Sequence, residues 1–186
     1  MKGGSVSIIG KGAGWEKAPM EGESWGITQL CLRRPVSLAI DMNVYDDGRW
    51  GDEQAREADA ARQYCLDHAI PYIDLATYPI DDIIGHFGTD YFTNTVDYAL
   101  ALAIYRGYRA IDMYGVNMAT FGEYAYQKPG VEFWTGMAMG RGIKVNVHGS
   151  LSVILKSRDG LLYGYDRRQL WAEKMAQEMK RLAAAG

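Results

Sequence analysis

Apolar positions follow two periods along this chain, and the switches between them mark out the elements. Ser5-Val6-Ser7-Ile8-Ile9 is a short β run that stops at Gly10 and gives way to a glycine-rich turn over 10–14. Ser24–Thr28 reads as a second strand. Pro35 bars a helix ahead of Val36–Ile40, a third strand that ends at Asp41. Gly51–His68 has helical spacing, with Ala55, Ala58, Tyr64 and Cys65 near one face and His68 at its end. Pro71–Leu75 is a fourth strand, and His86 falls in a short loop. Asn94–Arg106 is a helix whose stripe is Val96, Leu100, Ala103 and Ile104. Thr93 or Asn94 caps it and Gly107 ends it. Ala110–Tyr114 is the next strand, closed by Gly115. Val131–Arg141 is a helix introduced by Pro129-Gly130, and Ile143–Val147 is the sixth strand. A last helix over Arg167–Ala185 carries Trp171, Met175, Met179 and Leu182 on one side.

Strands therefore alternate with helices, at connection lengths that suit βαβ units. The expectation is an α/β, Rossmann-like three-layer sandwich with a mostly parallel sheet of five to seven strands and the 6–9 strand inside it. No repeat, linker or low-complexity tract divides the chain. Residues 1–186 read as a single domain with the helix at about 167–185 packed on it.

Composition narrows the function classes. An apolar share of 48% and a charged share of 23% suit a chain that buries its own core. The net charge of -3, with no basic run longer than two residues, argues against duplex nucleic acid as a partner. Cys31 and Cys65 lack metal-ligand spacing, and the histidines form no H-x-x-x-H pair, so no metal site is expected. Met1–Gly4 leads straight into a strand, and no apolar run approaches about 18 residues. These features predict a reduced, cytoplasmic chain with no membrane partner. The 13 Tyr and 5 Trp against 4 Phe suit stacked ligands or a subunit interface, and the final helix is a candidate for homo-oligomer contact.

In open α/β sheets, ligands bind beyond the carboxyl ends of the strands. That rule selects Gly10, Gly12 and Gly14; Asp41 and Asn43; Asn117; and His148 with Ser150. Glycines at 10, 12 and 14 let a backbone turn tightly and approach an anion. Their G-x-G-x-G spacing departs from the dinucleotide fingerprint and lacks the P-loop ending. Thr93, Asn94 and Thr95 open a helix, where amide N–H groups favour an anion and the side chains serve either a ligand or the cap. Asn117 offers a donor and an acceptor to a base or ribose, and Lys128 can neutralise a phosphate. Glu123, and His148 just past a strand end, are the candidate acid/base residues. No cofactor beyond a nucleotide or nucleotide sugar bound as ligand is implied.

Ser7-Ile8-Ile9-Gly10-Lys11-Gly12-Ala13-Gly14-Trp15 resembles the opening strand and loop of two related families. These are the bacterial CMP-sialic-acid-dependent sialyltransferases and the 6-hydroxymethylpterin diphosphokinase-like proteins. Thr93-Asn94-Thr95, Arg106-Gly107-Tyr108 and Ile111–Met118 resemble their capped helix and following strand, and the chain is also similar to short phage proteins of that type. The resemblance spans roughly residues 6–150 and implies the fold and a nucleotide-type ligand. The sialyltransferases have a histidine base after the strand that corresponds to 110–114, whereas residues 119–130 contain none. Gly14 replaces a loop serine, and Asn117 stands where aspartate is common.

Three functions compete on this reading. One is a transferase that uses a nucleotide-activated donor, glycosyltransferase-like or diphosphotransferase-like. A second is a non-catalytic binder that sequesters or senses a nucleotide-like molecule. The third is an interaction module built on the tyrosines and the last helix.

Overall fold

Six short strands pair side by side into one parallel sheet. The computed structural model describes residues 3–45, 51–119, 122–157, 162 and 165–184. The strands are β1 (Ser5–Ile9), β2 (Ser24–Ile27), β3 (Leu38–Ile40), β4 (Tyr72–Ile73), β5 (Ala110–Tyr114) and β6 (Lys144–Val147). The helices are α1 (Asp52–Asp67), α2 (Ile80–Phe87), α3 (Thr95–Tyr105), α4 (Glu123–Gly140) and α5 (Asp166–Ala184). Short 3-10 turns lie at Trp15–Lys17 and Thr28–Leu32. The sheet order is β4-β3-β2-β1-β5-β6, and every pair is parallel. The α/β class and the interior position of β1 agree with the pattern of the sequence.

Alternate strand residues feed two cores. On one face Val6, Ile8, Trp25, Leu38, Ile40, Ile111 and Met113 pack with α3 and with Val131, Trp134 and Ala138 of α4. On the other, Ala39 packs with Cys31, Val36 and, from α1, Ala61 and Cys65, while Ile9 and Tyr114 pack with Ala18 and Leu30. Each large side chain removed from water this way stabilises the fold by roughly 1.5–3 kcal/mol. α3 is buried along almost its whole length, because it lies between the sheet and α4.

Two elements depart from the sequence reading. His86 belongs to α2, not to a loop: Ile80, Ile83, Ile84 and Phe87 give that segment helical spacing, and Gly88 ends it at φ 70°. α4 begins at Glu123, eight residues before the expected start, and runs through Pro129. Proline removes an amide donor from the ladder. Beside this break the Gln127 carbonyl accepts a hydrogen bond from Asn94 Nδ2 (3.2 Å) and lies 3.1 Å from Thr93 Oγ1. The segment 123–130 is therefore helix docked on the start of α3, not a loop. The strands expected at 36–40 and 71–75 are shorter, at Leu38–Ile40 and Tyr72–Ile73.

The chain divides into two compact units, Met1–Ile154 and Leu155–Gly186. The second contains α5, on which Leu170, Trp171, Met175, Met179 and Leu182 are exposed and Arg181 pairs with Glu178 at 2.9 Å. No helix among the described residues is long and apolar enough to cross a membrane.

Candidate functional site

The chain builds β1 to β4 outward in one direction and then returns through α2 and α3 to place β5 on the other side of β1. The crevice at the carboxyl ends of β1 and β5 is thus the topological switch point. The two loops that leave it are bonded to each other. Gly10 N–H donates to the Tyr114 carbonyl (2.8 Å), Gly12 N–H to the Gly115 carbonyl (2.9 Å), and Asn117 Nδ2 to the Ala13 carbonyl (3.1 Å). A Cβ at Gly10 or Gly12 would stand 2.6 or 2.7 Å from the Gly115 oxygen. These glycines bring two backbones together.

A cavity of about 850 Å³ opens at this end of the sheet. Of the residues expected at the site, Gly10, Gly12, Asn43, Thr93, Asn94, Thr95 and Asn117 line it. Asp41 lines a neighbouring cavity of about 280 Å³, to which Asn43 and Tyr45 also belong. Gly14, Lys128, His148 and Ser150 line neither. Gly14, at φ 96°, precedes the Trp15–Lys17 turn. Lys128 faces Glu132 one helical turn on, at 3.4 Å, and Ser150 is exposed. Glu123 opens α4, and its side chain lies outside the described residues.

His148 sits at the end of β6, its ring stacked on Tyr114 at 4.2 Å and 2°. Its Nε2 is 2.8 Å from Asp112 Oδ1, which also accepts from Asn146 Nδ2 at 2.8 Å. This bond calls for a proton on Nε2. Gly149 follows beside Asn117.

The start of α3 is a closed hydrogen-bond cap. Asn94 Oδ1 accepts from the amides of Val96 (2.8 Å) and Asp97 (3.3 Å). Asp97 Oδ2 accepts from the Thr93 amide (2.8 Å) and hydroxyl (2.7 Å), and Oδ1 accepts from Asn94 Nδ2 (3.1 Å). Asp97 is fully buried, and burial pushes its carboxyl up to about 6. Thr93 and Asn94 thus border the cavity while their side chains hold this helix end together.

Several lining residues escaped the sequence reading. Lys11 Nζ donates to Gln29 Oε1 at 2.7 Å. Gln29 Nε2 donates to Tyr45 Oη at 2.6 Å, and the Tyr45 hydroxyl donates to Asp41 Oδ2 at 2.8 Å. Asn43 Nδ2 completes the group on Asp41 Oδ1 at 2.8 Å. Asp41 is buried, which raises its carboxyl against the opposing effect of these bonds. Burial likewise lowers the Lys11 ammonium, with Asp41 opposing. The signal for Gln29 is its place just past β2, a strand end like those that carry Asp41 and Asn117. Lys11 was passed over for the glycines on either side of it.

Among the described lining residues Lys11 is the one charged side chain; the polar remainder is amide and hydroxyl. Asn117 Oδ1, shielded from solvent, has no hydrogen-bond partner among the described residues. No group of His, Cys, Asp and Glu among the described residues is arranged to hold a metal ion.

Neither a family model nor a curated protein matches the chain. Among solved structures, it is similar to the sialyltransferase CstII from Campylobacter jejuni in three complexes. With the substrate analogue CMP-3FNeuAc the identity is 14% and the TM-score 0.42, over 81% of this chain and 83% of that one. With cytidine-5'-monophosphate the values are 14% and 0.44, over 81% and 82%. With a trisaccharide acceptor and CMP they are 14% and 0.41, over 80% and 82%.

Proposed function

We propose that the chain binds a nucleotide or nucleotide sugar in the switch-point cavity and acts as a transferase on that activated donor. The observation that carries this reading is the lining: a roomy cavity with amides and hydroxyls around a single charged side chain, Lys11, among its described residues. Amides pair with the donors and acceptors of a base and with sugar hydroxyls. Asn117 also lines the cavity, its amide held by the bond from Nδ2 to the Ala13 carbonyl. Asn43 would add a further amide, while Gly10 and Gly12 would shape the floor. Catalysis would come chiefly from holding donor and acceptor in line. Glu123 and His148 are the candidates for moving the proton, His148 with Asp112 as its orienting partner.

A second reading is a binder that sequesters or senses such a ligand. It is favoured by one observation: no carboxylate or imidazole is among the described residues that line the cavity. Calorimetry with nucleoside monophosphates, diphosphates and nucleotide sugars, followed by a donor-cleavage assay over a panel of acceptors, separates the two. Binding with cleavage supports the transferase. Tight binding without cleavage supports the binder, and no binding removes both.

A further inference from the structure

The sequence pattern offers two anion sites, the glycine loop and the N-terminus of α3, and in the fold part of each is engaged elsewhere. In the loop, Gly10 N–H donates to the Tyr114 carbonyl of β5, Gly12 N–H to the Gly115 carbonyl just past it, and Trp15 N–H to the Gly12 carbonyl at 3.3 Å. At α3, Asn94 Oδ1 takes the Val96 and Asp97 amides, and the Asp97 carboxyl already occupies the helix end. A second negative charge there would meet like charge. The other well-held cations are also committed. Arg34 donates to the carbonyls of Trp15, Ala18 and Pro19, Arg62 pairs with Asp74 at 3.1 Å, and Arg109 donates to the Gly3 carbonyl.

Lys11 differs from all of these. It lines the cavity, and its ammonium makes one hydrogen bond among the described residues, to the neutral oxygen of Gln29. No carboxylate among the described residues lies within ion-pair distance of it. Asp41 and Glu57 act on it only at longer range, and Asp41, which is buried, is linked to it through Gln29, whose Nε2 donates to Asp41 Oδ2 at 3.5 Å and to Tyr45 Oη at 2.6 Å. An ammonium has three N–H donors, so two remain for a ligand. Gln29 is pinned between Lys11 and Tyr45, so it holds the ammonium in place at the edge of the cavity. Partial burial strips water from Lys11 and lowers its affinity for a proton, a cost that an anion beside it would offset.

We infer that Lys11 is the residue that holds the negatively charged group of the ligand, and that it sets the preference of the cavity for a nucleotide over a nucleoside. This rests on the reading of the cavity as a nucleotide site. It moves the anion from the glycine backbone and the α3 terminus to one side chain.

The test compares ligands with and without the charge. Adenosine, cytidine, guanosine and uridine and their 5′-monophosphates are titrated calorimetrically into the parent, Lys11→Met and Lys11→Arg, with far-UV circular dichroism to confirm that each is folded. For the best-binding base, the parent should prefer the monophosphate over the nucleoside by roughly 10- to 100-fold, as loss of a charge-assisted hydrogen bond implies. Lys11→Met should bring that ratio close to one and leave nucleoside affinity within about threefold, while Lys11→Arg keeps most of it. In the parent, the preference should shrink as salt is raised. A Lys11→Met protein that keeps the full preference overturns the inference and leaves the nucleotide reading standing, with the anion held elsewhere. Failure of every nucleoside and nucleotide to bind the parent overturns the nucleotide reading, and this inference with it.

Discussion

Gly12 and Gly115 face each other across the switch point, amide to carbonyl at 2.9 Å, with 2.7 Å between that carbonyl oxygen and the place where a Gly12 Cβ would stand. The β1 and β5 loops can meet at this distance because neither residue has a side chain. Gly12→Ala, and Gly10→Ala more so, should therefore destabilise the fold by about 1–3 kcal/mol, whatever they do to a ligand. Urea denaturation of both variants with no ligand present measures this. Unchanged midpoints would show that the loops separate at no cost.

Gly130 and Gly136 lie in the same helix and should respond in opposite directions. A Cβ on Gly130 would collide with Asp97 Oδ2 and Thr93 Oγ1, while one on Gly136 meets nothing within 4 Å. Gly136→Ala should stabilise by up to about 1 kcal/mol through helix propensity. Gly130→Ala should instead cost about 1–3 kcal/mol, because the α3 cap must open to admit it. Thermal melts of the pair decide the matter, and equal shifts of the same sign would remove the collision as the cause.

Asp97 makes stability depend on pH in a stated direction. Its carboxyl is pushed by burial up to about 6, against about 3.9 for a free carboxylate, so the folded state holds the proton more tightly than the unfolded one. Its contribution is therefore fully present below about pH 4 and is lost as pH rises through 6. The amount is about 1–3 kcal/mol. Denaturation of the parent and Asp97→Asn at several pH values from 4 to 7.5 isolates it. The parent should lose stability relative to the variant as pH rises, and parallel curves would show that Asp97 keeps an ordinary affinity for its proton.

Cys31 and Cys65 are both buried, and burial raises both thiols, Cys65 up to about 12. The thiolate is the reactive form, so neither should react on the timescale of a surface cysteine. A disulfide reagent at pH 8 should find no rapid thiol in the native chain and two after unfolding in urea. Fast native labelling would mean that α1 opens away from the Thr28–Leu32 turn.

Much of the fold could be read in advance because its elements carry strong local signals. β1 and β5 set apolar residues at alternate positions, Val6 and Ile8, Ile111 and Met113, and each is closed by glycine. α3 has its Asn94 cap and a continuous apolar surface, since it is covered on two sides. The start of α4 was not legible: Pro129-Gly130 is a stop signal in isolation, and only the position of Thr93 and Asn94, some 33 residues earlier in sequence, explains why helix continues through it. α2 was missed because eight residues with an internal glycine give too short a stretch to separate from a loop. At the site, the strand-end rule located Asn43 and Asn117, and the helix-start signal located Asn94. It could not rank Lys11 or Gln29, because their importance comes from a hydrogen bond between two loops. Gly10 and Gly12 stand out in the sequence for a reason different from the one the fold gives them: each makes room for a carbonyl of this same chain.

The central seam of the sheet also carries a consequence for how the molecule is made. Of the six strands β1 is made first, and β2, its neighbour on one side, follows within twenty residues; β5, its neighbour on the other, is complete only at Tyr114. Closing that gap orders about a hundred intervening residues, a slow and entropically costly step. The wall between Gly10 and Gly115 thus joins late, and a nascent or partly unfolded chain can keep several native strands while having no cavity. Ligand capture would then report on complete assembly of the sheet, and a ligand added during refolding would act on the final stage of the process.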